Sequence, residues 1–282
     1  MEVGRARLVP LTNRLSRLPW WALVAALLGI LFAWVMATDE DYQKVFGAIS
    51  DGLTMTITVT IIAYIGALII GLILALGRVS HNVVVYQVST FYVEIVRGVP
   101  TLVLLLYVAF VIIPAAVDGI ASLGSHMLQS NILPPLATSL AQLRLRDVTD
   151  VTRVVIALMI AYSAFLAEIF RAGIESIERG QMEAARALGM TYWQAMRYII
   201  LRQAIRQVLP PLGNDFIAML KDSSLVSALG VRDITLLGKL YAASTYLTLQ
   251  TYNVVAYLYL VMTLLLSLVV KWIERSMARE RG

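Results

Sequence analysis

The chain has 282 residues, of which 59% are hydrophobic and only 15% charged, a balance that excludes an ordinary soluble domain and points to an integral membrane protein. With no cysteine and two distant histidines, His81 and His126, it offers neither a disulfide framework nor a thiolate or local histidine metal site. The net charge of +5 lies in loops and termini, as the positive-inside rule requires, so it reads as topology and not as a nucleic-acid surface.

A basic N-terminus, residues 1–19 with Arg5, Arg7, Arg14 and Arg17, precedes an uncharged apolar run at 20–37. That run is about 18 residues, enough for a helix to cross hydrocarbon. The competing reading is a cleaved signal peptide ending near Val35-Met36-Ala37, but its apolar region is usually only about 7–15 residues. Asp39, Glu40, Asp41 and Asp51, opposed by Lys44, mark the outer side, which leaves the N-terminus cytoplasmic. In the second span, 53–76, Thr54, Thr56, Thr58 and Thr60 alternate like a strand, but length selects a membrane helix. Ala63, Ala67, Gly71 and Ala75 recur every fourth position and form a ridge on which another helix packs closely. Arg78 and His81 return the chain to the inside.

An amphipathic lead-in at 83–92 feeds a third span, 99–117, with Pro100 at a bend. Ile113-Pro114 then opens an outer segment, 114–152, with Arg144, Arg146, Asp147 and Asp150; it is too long for a plain connector and is expected to hold a short helix or a mobile lid. The fourth span is 154–170. The fifth, 204–220, is invisible to hydropathy because Arg206, Gln207, Pro210, Pro211, Asn214 and Asp215 interrupt it. A broken polar helix is tolerated at membrane depth only against protein or a watery cavity, so it is assigned to a pathway. The last span, 254–270, has Tyr252, Tyr257 and Tyr259 at its outer end and a basic tail, 271–282, with Lys271, Arg275, Arg279 and Arg281. The expected fold is an all-α integral membrane protein of about six transmembrane helices with both ends inside.

Between the fourth and fifth spans lies a charged stretch, 177–211, with its own punctuation. Residues 181–188 are mostly good helix formers and Gly189 follows in the place of a left-handed cap. Thr191 stands three residues before Gln194, the capping-box spacing, so a second helix starts at once. Ala184, Ala185 and Ala187 keep the first helix slim, which suits a groove on another protein; the plainer reading is an amphipathic juxtamembrane helix.

Ionisable groups near membrane depth are costly and are candidates for function. Glu94 with Arg97, and Glu168 with Arg171, are three apart and share a helix face, where each pair either faces a pathway or neutralises itself. Asp215 and Asp222, about two turns apart, point the same way, with Asn214 and Lys221 beside them. Lys221 and Asp222 read equally as an outer membrane boundary. No serine, histidine and acid arrangement suggests catalysis, and no G-x-x-x-x-G-K-[ST] loop is present to hold ATP phosphates.

Glu183-Ala184-Ala185, then Gly189, Ile199 and Leu201, resemble the EAA loop of bacterial ABC-importer permeases. The family pattern continues with proline, where this chain has Arg202, so the bend is looked for at Pro210-Pro211. Three further stretches, 92–100, 168–173 and 212–225, resemble the polar-amino-acid permeases. The resemblance implies an EAA coupling helix (Glu183, Ala184, Ala185, Arg186, Leu188 and Gly189) within a coupling loop, 175–203, of a five-helix permease domain, 53–270, preceded by one extra N-terminal helix. It implies a candidate substrate pathway of Glu94, Arg97, Glu168, Asn214, Asp215, Lys221 and Asp222. Implied partners are an ABC ATPase subunit that uses ATP and magnesium, a second identical or homologous permease subunit, an extracytoplasmic solute-binding protein and membrane lipid. No cofactor is expected on this chain. The competing functions are an ion-coupled secondary carrier or channel, and a non-transporting membrane anchor.

Overall fold

The computed structural model describes residues 20–279; residues 1–19 and 280–282, on which the N-terminal basic stretch and the end of the tail fall, lie outside the described residues. The described chain is helical throughout, with no strand among the described residues. Helix α1 (Trp20–Thr38) leads to α2 (Glu40–Ile49) and α3 (Asp51–Arg78). Next come α4 (Val83–Gly98) and α5, which runs through Thr101–Gln129. Helix α6 (Pro134–Ala141), α7 (Asp150–Glu175) and the short α8 (Arg179–Ala187) follow. Helix α9 spans residues 192–222, α10 is Ile234–Thr245 and α11 is Thr248–Arg279.

Among the described residues four stretches are long and apolar enough to cross a membrane: Glu40–Arg78, Thr101–Gln129, Asp150–Glu175 and Thr248–Ser276. Helix α1 carries a shorter apolar stretch, Leu23–Thr38.

The core is built on α3 against α7. Ala63, Ala67 and Ala75 are 0% exposed and Gly71 is buried, the ridge expected from its spacing. A Cβ on Gly71 would sit 2.8 Å from the Leu166 Cβ and 3.0 Å from the Ser163 carbonyl, so the two backbones touch here. Gly66 faces Met159 and Gly71 faces Leu166, so the numbering rises together and the two helices run parallel. Helix α7 answers with Ala157, Ala161, Ala164 and Ala167, all fully buried. Van der Waals contact of this kind is a main source of association where lipid is as apolar as the side chains.

Four prolines behave differently. Val99 is extended (φ −98°, ψ 135°), as a residue before proline prefers, and α4 ends there and α5 starts after Pro100, as expected. Pro114 does not open a loop. A π turn at Val108–Ile112, closed by the Ile113 amide on the Val108 carbonyl, widens the helix just before it and α5 continues to Gln129. The expected outer segment is therefore a helical hairpin, in which Gly124 lies so close to α6 that a Cβ would fall 2.3 Å from the Ala141 amide. The expected short outer helix is α6. Pro210 and Pro211 likewise do not break α9, which is helical from Leu201 to Asp222; the irregularity sits earlier, in a π turn at Met196–Ile200.

A second, smaller cluster was not anticipated. Val45 and Ile49 of α2 pack with Ile234 of α10 and with Val254, Val255 and Leu258 of α11. Helix α2 begins at Asp39, whose carboxylate accepts from the Asp41 and Tyr42 amides, and α10 begins at Asp233, whose carboxylate accepts from Leu236.

Candidate functional site

Helix α8 is held at the end of α7 by a connection of three residues and closes with a Schellman motif. The Met190 amide donates to the Ala185 carbonyl at 3.2 Å and the Gly189 amide to the Arg186 carbonyl at 3.0 Å, while Gly189 takes φ +85°. Thr191 and Gln194 then form the reciprocal capping box: the Gln194 amide donates to Thr191 Oγ1 at 3.3 Å and the Thr191 amide to Gln194 Oε1 at 2.9 Å. The elbow is thus defined by backbone chemistry on both sides. Ala185 is buried, whereas Glu183, Ala184, Arg186 and Gly189 are exposed and Leu188 is 85% exposed. Gln203 Nε2 donates to Gln181 Oε1 at 3.2 Å and ties α8 to α9. An apolar leucine thus stands outward at the elbow, beside the exposed Glu183 and Arg186.

A second constellation lies at the C-terminal ends of α3, α4 and α7. Arg78, read from sequence only as a topology marker, proves central. It donates to Glu168 at 2.8 Å and to Glu94 at 3.4 Å, and its side chain is only 10% exposed. Glu168 also accepts from Arg171, and Arg97 stands 3.9 Å away. Arg171 continues the chain to Glu175. The local reading holds for Glu168 with Arg171. Glu94 instead pairs across helices with Arg78, because the Arg97 guanidinium turns toward Glu168 and lies 5.9 Å over the Phe165 ring. Three guanidinium groups and three carboxylates balance.

Helix α9 brings the remaining candidates to two adjacent lanes. Asn214 and Lys221 are exposed and share a face with Gln207 and Pro211. Gln207 and Pro211 line a recess of about 340 Å³ together with Glu168, Ala172 and Ser176. Asp215 and Asp222 turn inward. Tyr162, halfway along α7, donates to Asp222 Oδ2 at 2.8 Å, while Asp215 lies within electrostatic reach of Tyr64 and Asp222 and its Oδ2 is buried with no hydrogen-bond partner. Tyr64 uses its own hydroxyl on the Leu212 carbonyl at 2.6 Å. The Tyr162 ring is 5.9 Å from Phe165, on which Arg97 rests. A run of contacts therefore leads from a guanidinium to a carboxylate, the two charges that a zwitterion requires. Sequence reading missed Tyr64, Tyr162 and Arg78, whose partners Leu212, Asp222 and Glu168 are 148, 60 and 90 residues distant. Among the described residues no three His, Asp or Glu side chains converge as a metal would need.

Residues 67–279 match the family described as the binding-protein-dependent transport system inner membrane component. The probable amino-acid permease protein YxeN of Bacillus subtilis (strain 168) is 37% identical over 240 residues, 85% of this chain and 96% of that protein. The glutamine transport system permease protein GlnP of Escherichia coli (strain K12) is 31% identical over 240 residues, 84% of this chain and 97% of that one. Among solved structures, that of an amino acid ABC transporter with histidines aligns with a TM-score of 0.67 at 35% identity, covering 84% of this chain and 97% of the other. The MetNI methionine ABC transporter in an inward-facing conformation shares the fold, with a TM-score of 0.60 at 18% identity over 85% of this chain and 99% of the other. With most of its length matched and its relatives aligned almost end to end, the chain belongs to the family of binding-protein-dependent transport system inner membrane components, the membrane-spanning permease subunits of such systems.

Proposed function

We propose that the chain is the permease subunit of an ATP-driven ABC importer that carries polar amino acids across the cytoplasmic membrane. The observation that carries this reading is α8: a short helix locked by a Schellman motif and a capping box, with Glu183, Arg186 and Leu188 outward and Ala185 fastened inward. In this reading α8 is the coupling helix and seats in a groove of a separate ATPase that binds ATP and magnesium. Helices α1 and α9 complete six spans, with both ends of the chain in the cytoplasm. A second permease subunit, identical or homologous, closes the pathway, and an extracytoplasmic solute-binding protein delivers the solute.

ATP binding draws the two ATPases together and the two α8 helices with them, opening the pair outward. Hydrolysis restores the inward-facing state. Such a switch needs ATP to favour one state over the other by differential affinity. The amino-acid class is supported by the names of the relatives and by the juxtaposed charges: Arg97 suits a carboxylate, Asp222 and Asp215 an ammonium, with Asn214 and Lys221 along the same helix. Glu94 and Glu168 remain candidates, each already paired with Arg78.

The test is transport in proteoliposomes holding the native complex and its binding protein, energised either by internal ATP or by an ion gradient. Uptake that requires ATP and is lost in Glu183→Lys supports the proposal. Uptake driven by the gradient alone, unaffected by Glu183→Lys, overturns it.

A further inference from the structure

We propose that Arg78 is a positioning residue for coupled transport: it fastens the inner ends of α3 and α4 to the last turns of α7, so that a displacement of α8 moves three helices as one body. The inference rests on the reading of α8 as the coupling helix.

The path is continuous on named atoms. Helix α8 starts at Arg179, after a connection of three residues from Glu175 at the end of α7, and the connection is tied down by Ser176 Oγ on the Gly173 carbonyl at 2.8 Å. From Glu175 the ion pairs step to Arg171, to Glu168 and to Arg78, and Arg78 extends them to Glu94 on α4, whose Arg97 also reaches Glu168 at 3.9 Å. Higher in the bundle, packing at Gly71 and the Tyr92 hydroxyl on Ser163 at 2.9 Å joins the same helices without charge. The latch therefore governs the inner ends, where motion of α8 enters, and not the existence of the bundle. Its geometry favours arginine. One planar fork serves two carboxylates on two helices, which a lysine ammonium on a flexible stem does only in part. Removing the fork leaves Glu168 with Arg171 and, at 3.9 Å, with Arg97 of α4, so α7 keeps its own charge balance while α3 loses its ties to both helices and α4 keeps only the longer pair. Coupling between distant sites needs such a physically connected element, one whose arrangement both sites bias.

The experiment measures ATP hydrolysed per solute imported by the reconstituted complex, with a mixture of the polar amino acids outside and vesicle contents read by mass spectrometry. Arg78→Ala and Arg78→Lys are compared with Gly189→Val as the reference for a broken elbow. Arg78→Ala is expected to hydrolyse ATP near the wild-type rate while uptake falls about tenfold, within the usual range of coupling effects, and Arg78→Lys to recover part of the loss. Should Arg78→Ala fail to assemble, the Lys variant and Arg78→Gln carry the same comparison. Hydrolysis and uptake that fall together, in proportion to the amount of assembled complex, overturn the proposal by making Arg78 merely structural. Unchanged coupling in every Arg78 variant, with Gly189→Val uncoupled, overturns this inference alone. Intact coupling in Gly189→Val overturns the reading of α8 beneath it.

Discussion

Gly189→Val isolates the elbow after α8. Gly189 holds φ +85°, and a Cβ built there meets no atom within 4 Å, so the substitution adds no collision and its cost is purely conformational. The left-handed conformation costs an L-residue about 1–2 kcal/mol, and a β-branched side chain stands at the upper end. Since about 1.4 kcal/mol is a factor of ten, the population holding the elbow should fall roughly tenfold relative to competing geometries. Two companions sharpen the reading. Gly189→Asn, which tolerates the left-handed region, should stay near wild type. Gly180→Ala, inside α8 with nothing within 4 Å, should strengthen the helix by about 1 kcal/mol. The assay is ATP-driven uptake per unit of assembled complex. The reasoning is refuted if Val behaves like glycine, or if Asn is as harmful as Val, because the second result would mean that a partner surface, and not backbone conformation, demands glycine.

Three further outcomes follow from the bundle. Gly71→Leu drives a side chain into Leu166 and the Ser163 carbonyl and should lower thermal stability in detergent by about 1–3 kcal/mol, whereas Gly119→Ala, facing open space inside a helix, should not lower the melting temperature and should raise it slightly. Asp233→Ala removes the cap of α10, about 1 kcal/mol, and strips Tyr259 of a partner at 3.2 Å; a cycle with Tyr259→Phe should be non-additive, and simple additivity in the melting data would contradict the pairing. Tyr162→Phe deprives Asp222 of a donor at 2.8 Å, a bond to a charged group worth about 1.5–3 kcal/mol, and should cut uptake at least severalfold while the complex still assembles. Wild-type uptake in that variant would remove Asp222 from the pathway.

What sequence made legible was local. The alanine and glycine ridge of α3, the break before Pro100, the left-handed Gly189 and the Thr191–Gln194 box each depend on residues within a few positions, and each stands as expected. Pro114 misled because a proline signals a helix end unless the preceding turn widens, and no residue type announces a π turn. Pro210 and Pro211 also misled, since α9 runs through them as regular helix from Leu201 to Asp222. Helix α10 went unassigned although Asp233 stands three residues before Leu236 in cap position, because Lys239 and the scattered polar residues hide its short apolar face. The charge network needed tertiary information outright: Arg78 and Glu168 are 90 residues apart, and a helix-face argument can pair Glu94 only with Arg97.

The most direct test of the central claim is purification of the tagged chain from its native membrane in mild detergent, with mass spectrometry of its companions and an ATPase assay on the complex. The account predicts an ABC ATPase among them, with turnover stimulated by the binding protein and lost when Glu183→Lys disturbs α8. Recovery of the chain without an ATPase, or an ATPase complex indifferent to Glu183→Lys, would contradict it.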